Sequence, residues 1–170
     1  MKKEIINKVS RIPIHNIDIS SFIPKKRRVV FDIKQWLKND LILIEKDFRN
    51  KIKEFNWDIY SDKLVSIQCS NDAIIPDWAF ILVSSKLKEH KVTNFIGSLE
   101  SMEEYLIYNS ISKHDFSAYE NKTIIIQGCS NELIPKSCYS LLIEKLQPIV
   151  KKILFGEACS SVAIFQKIRT

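Results

Sequence analysis

No apolar run in this chain approaches the roughly 20 residues that a membrane-spanning helix needs. Stretches such as Leu41-Ile42-Leu43-Ile44 and Thr123-Ile124-Ile125-Ile126 are far shorter. The start, Met1-Lys2-Lys3-Glu4-Ile5-Ile6-Asn7-Lys8, sets charges on both sides of two isoleucines. It lacks the apolar centre and small-residue cleavage site of a secretory signal. A cytoplasmic protein of bacterial type, with no membrane partner, is the expectation. The four cysteines include no Cys-x-x-Cys, which excludes the usual local zinc knuckles. A cytosol keeps thiols reduced, so a disulfide framework is not expected either. Any site that the cysteines share has to be assembled by the fold.

Interleaved aromatics are missing from the basic run Lys25-Lys26-Arg27-Arg28, which directly follows Pro24. The net charge of +6 comes wholly from residues 1–63, with 15 Lys and Arg against 9 Asp and Glu; residues 64–170 hold 11 of each. A charge run alone is a weak nucleic-acid footprint, and no nucleic-acid partner is expected. With 170 residues and 45% hydrophobic content, the chain suits one well-buried core and is short for two ordinary independent domains. A single domain over 1–170 is expected, with residues 1–40 packed on it.

What the chain does have is a passage written twice. Gln68-Cys69-Ser70-Asn71-Asp72-Ala73-Ile74-Ile75-Pro76 returns as Gln127-Gly128-Cys129-Ser130-Asn131-Glu132-Leu133-Ile134-Pro135. A shift of 59 also matches Tyr60 with Tyr119, Lys63 with Lys122, Gly97 with Gly156 and Ser101 with Ser160, and it sets Glu100 on Cys159. Two internal repeats, roughly 41–100 and 100–160, are the economical reading.

Periodicity fills in the elements. Residues 1–9 are read as a short helix or arm and 10–28, interrupted by Pro13 and Pro24, as an extended surface wrap. Phe48, Ile52 and Phe55 recur at helical spacing. Lys63 to Gln68 alternates as a strand. A helix opens at Pro76, a strand covers 91–96 and a helix runs from Ser98 to about Ile111. The second copy gives a strand over 122–127, a helix from Pro135 to about Val150 and a strand over 152–155. There the copies part, because Val162-Ala163-Ile164-Phe165 reads as extended. Alternating strands and helices predict an α/β layered domain with a mostly parallel sheet.

In such sheets the turns leaving the carboxyl ends of the strands share the edge where ligands bind. Cys69, Glu100, Cys129 and Cys159 each follow an expected strand, so all four are expected there. Three thiols with one carboxylate suit zinc, and three thiolates suit an iron–sulfur cluster. Two other readings stay open: a thiol-dependent enzyme using Cys69 or Cys129, with Asp72 or Glu132 carrying protons, and an interaction module with inert cysteines. Cys138, at the position of Ala79, is expected in the core. His15, His90 and His114 are read as surface residues and Trp78 as packing.

The passages Val29 to Leu37, Glu45 to Arg49, Cys69 to Ala79, Gly128 to Asn131 and Phe155 to Ser160 resemble an uncharacterised bacterial family, domain of unknown function 2480. The resemblance extends over nearly the whole chain and brings no activity with it. It implies motif positions for Cys69, Glu100, Cys129 and Cys159, but not for Cys138, and iron–sulfur assembly proteins as partners.

Overall fold

A computed structural model describes residues 14–128, 134–157 and 159–168. The chain is α/β, and the described residues form four α-helices and two sheets in which parallel pairing dominates. It divides into two compact units, one of residues 25–105 and one of residues 1–24 with 106–170.

In the unit of residues 25–105, β2 (Arg27–Asp32), β3 (Lys63–Gln68) and β4 (Thr93–Ile96) form a parallel sheet in that order. The helix α1 (Glu45–Glu54) sends Phe48 and Ile52 into the core, with Glu45 and Asp47 in its first turn and Lys51 and Lys53 in its last. Those charges complement the helix dipole at both ends. The helix α2 (Asp77–Glu89) buries Ala79, Val83 and Leu87, four residues apart and so on one face. These side chains close over Phe31, Ile33, Trp36, Trp57, Val65 and Ile67. Phe31 stacks on Trp57 at 5.5 Å and meets Trp36 edge-on at 4.9 Å. The Trp57 indole N–H, buried with its ring, donates to the Ile52 carbonyl at 3.0 Å, which removes the cost of an unpaired donor.

The other unit has a four-stranded sheet in the order β1 (Ile14–Asp18), β5 (Thr123–Gln127), β6 (Lys152–Phe155) and β7 (Val162–Gln166). The first three are parallel, and β7 runs antiparallel along β6. Leu154 pairs with Ala163 and Ile153 with Phe165, so Ile164 is an extra residue in the ladder. The helix α4 (Lys136–Leu146) packs Cys138, Leu141, Leu142 and Leu146 onto Ile124, Ile126 and Ile153. The carboxyl half of α3 (Leu99–Lys113) adds Ile107 and Ile111. Ser98 starts α3, its hydroxyl accepting the Ser101 N–H at 3.1 Å.

Two expectations change. Residues 14–28 do not wrap the surface: β1 and β2 are sheet strands, and Ile17, Ile19 and Phe22 are buried. The prolines flank β1 instead of forbidding it. The expected sheet is also two sheets, and their units do not follow the boundaries expected for the repeats, since β1 joins strands about a hundred residues downstream. The reading of residues 1–9 lies outside the described residues.

The two cores correspond position by position. At a spacing of 59, Phe48, Ile52, Trp57, Val65, Ile67, Ala79, Val83 and Leu87 correspond in sequence to Ile107, Ile111, Phe116, Ile124, Ile126, Cys138, Leu142 and Leu146. The Gly97 N–H donates to Ile67 O at 2.9 Å, and the Gly156 N–H to Ile126 O at 3.0 Å.

Candidate functional site

At the carboxyl edge of the three-stranded sheet the loops after β2 and β3 are tied together. Asp32, ending β2, accepts the Lys34 N–H at 3.0 Å and the Ser70 N–H at 3.1 Å. The Cys69 thiol donates to Asn71 Oδ1 at 2.8 Å, and the Asn71 amide reaches the Asp40 carbonyl. Burial is the largest single influence on the Asp32 carboxyl and pushes it up. Bonds from the Ser70 hydroxyl and the Lys34 and Ser70 N–H groups, with the Lys34 charge, outweigh it and hold the carboxyl below its ordinary value.

This arrangement does not gather the expected ligands. Cys69 follows β3 in one unit, whereas Cys159 follows β6 in the other and is exposed. Glu100 is exposed in the first turn of α3, and Cys129, with Glu132, lies outside the described residues. Among the described residues no three His, Cys, Asp or Glu side chains are grouped as a metal ion requires. The expectation of a zinc or iron–sulfur protein with a three-cysteine site is therefore corrected, and with it the ground for iron–sulfur assembly partners. One physical reason lies in the loop: at the spacing of 59 Gly128, not Cys129, stands at the place of Cys69, so the copied words do not put sulfur at copied positions.

Cys138 is fully buried in the core. His15 sits in β1 against Tyr119, His114 lies between Phe22 and Phe116, and the ring of His90 bonds Asp58. Trp78 packs on Phe48 beneath the Arg49 guanidinium, and Asp72 is exposed.

A different feature occupies the carboxyl edge of the four-stranded sheet. Ile126, Tyr139, Ile143, Phe155 and Ile164 line a hollow of about 270 Å³. Ile126 and Phe155 are partners across β5 and β6, and they form its floor with the extra residue Ile164. Tyr139 and Ile143, one helical turn apart on α4, form its wall, the Tyr139 and Phe155 rings meeting edge-on at 5.8 Å. Phe155 and Ile164 are 37% and 53% exposed, so the lining is open to solvent. A Cβ at Gly128 would lie 2.5 Å from the Tyr139 hydroxyl and 3.3 Å from the Phe155 ring, so glycine lets the ring close over the strand end. The Gln127 amide donates to Glu157 Oε2 at 3.0 Å beside it.

The sequence reading did not single out these residues. Its one signal was the departure of 162–165 from the first copy. Counterparts of the hollow at the spacing of 59 are Ile67, Phe80, Ser84 and Ile96, of which Ser84 bonds Asn94 Oδ1 at 2.6 Å, and among the described residues the three-stranded sheet ends at β4. No helix of the described residues is long and apolar enough to cross a membrane.

No curated protein and no solved structure matches the chain. Residues 3–167 match the family described as Protein of unknown function (DUF2480), with the motif-bearing loops inside the match, and the chain belongs to that family.

Proposed function

We propose that this protein binds a small ligand through an aliphatic chain seated in the hollow between α4, β6 and β7. The observation that carries the reading is a recess whose lining, among the described residues, is three isoleucines, a phenylalanine and the ring of Tyr139, at the carboxyl ends of parallel strands, where open α/β sheets take their ligands. We infer also that the two units are copies of one ancestral unit, as their matched cores suggest. Among the described residues the strand β7 then belongs to one copy alone. A feature that one copy does without is not needed to fold the other, which supports a functional origin for it.

The test is a titration of isotope-labelled protein with 1-octanol, following the isoleucine methyl signals. Saturable shifts at Ile126, Ile143 and Ile164 are expected. Ile164→Trp, at an exposed position, fills the space and is expected to abolish them. Shifts that do not saturate, or that persist in the variant, would overturn the reading.

A further inference from the structure

We propose that the ligand is an amphiphilic monoanion, a carboxylate carried on an aliphatic tail, whose head lies beyond Ile143 beside Lys167. This rests on the hollow being the tail site. A second recess of about 490 Å³ is lined by Ile143, Glu144, Gln147, Pro148, Phe165 and Lys167. Ile143 lines this recess and the hollow alike, while Ile164 of the hollow and Phe165 of the recess are consecutive in β7. The two spaces therefore adjoin along α4 and β7, one mostly apolar and the other ending in polar groups.

Among the described residues, Lys167 supplies the cation at that polar end and Glu144 the one anion, on the α4 side. The Lys167 N–H donates to the Lys151 carbonyl at 3.0 Å, and Lys152 is the partner of Gln166 across β6 and β7. Lys167 is thus held at the end of β7, and among the described residues it forms no salt bridge, while Lys152 and Gln166 alternate to the other face of the sheet. A carboxylate beside Lys167 gains a charge-assisted hydrogen bond, and the Gln147 amide offers a neutral donor. Glu144, on the α4 side, opposes a second negative charge. It sets the preference for a carboxylate over an alkyl phosphate.

Octanoate, 1-octanol, octylamine and octyl phosphate, titrated into wild type and Lys167→Gln with the same methyl signals, test this. Octanoate is expected to bind more tightly than the other three. Lys167→Gln is expected to weaken octanoate about two- to fivefold, the range of an exposed ion pair, and to leave 1-octanol unchanged. Equal affinities for octanoate and 1-octanol, tightest binding of octylamine or octyl phosphate, or equal weakening of octanoate and 1-octanol by Lys167→Gln would overturn the head assignment. Failure of the tail site itself shows separately, as 1-octanol shifts that Ile164→Trp does not remove.

Discussion

At the scale of single residues, Asp32 illustrates how a strand end is fixed. Its carboxylate caps the short turn after β2 and also holds the Ser70 backbone, so one side chain ties two loops. Asp18 does the first of these jobs after β1, accepting the Ser20 N–H at 2.9 Å. Replacing a capping carboxylate by alanine costs about 1 kcal/mol, and Asp32→Ala is expected to lower stability by that order at neutral pH. The native carboxyl titrates below its ordinary value, so its contribution is present above the unfolded value of about 3.9. That contribution is lost as pH falls through the lower native value. Urea midpoints of wild type and Asp32→Ala, compared at pH 7 and in acid, should therefore converge as the pH drops. A gap that stays constant would mean that the charge plays no part.

At the scale of elements, the edge strand β7 and the start of the loop after β5 shape the hollow together. Ile164 reaches it because the ladder holds one residue more on β7 than on β6, and such bulges re-aim side chains. The glycine at 128 has the complementary part. Gly128→Ala brings a methyl against the tip of the Tyr139 ring, which has to swing away. The expected outcome is a loss of 1-octanol binding with little change in thermal midpoint, read by titration and by melting of the same sample; unchanged affinity would detach Gly128 from the hollow.

Much of this level was legible beforehand. Phe48 and Ile52, four apart, marked α1, the alternation over 63–68 marked β3, and Pro76 and Pro135 marked the helix starts. The hollow was not, because an extra residue in a ladder depends on which strand lies opposite, and Val162-Ala163-Ile164-Phe165 reads the same with or without it. The cysteines misled for a related reason. Similar words in two loops do not fix the register, and a displacement of one residue is enough to leave Gly128, not Cys129, at the place of Cys69.

At the scale of the whole molecule, two cores close separately. All three tryptophans, Trp36, Trp57 and Trp78, belong to the unit of residues 25–105, while the buried Cys138 belongs to the other. Each core thus has its own reporter: tryptophan emission for one, and alkylation of Cys138, quantified by peptide mass, for the other. Removing a buried aromatic or leucine side chain costs about 2–5 kcal/mol. Phe31→Ala is expected to shift the tryptophan transition in denaturant the more, and Leu142→Ala the Cys138 transition. Identical shifts of both reporters in both variants would contradict separate closure. The pairing of β1 with β5 was illegible at this scale, because nothing local in Ile14-His15-Asn16-Ile17-Asp18 names a partner so far along the chain.

That pairing has a consequence for how the protein is made. Ile14 meets Thr123, so 109 positions (123 − 14) separate partners in one ladder. A ribosome adding about 5–20 residues per second takes roughly 5–20 s to cover that distance, and the middle of the chain emerges complete in the meantime. The first strand must wait, its edge unmatched, for the last third of the polypeptide. Chains arrested near residue 140 should show folded tryptophan emission while β1 is still open to protease, and full-length chains should show it closed.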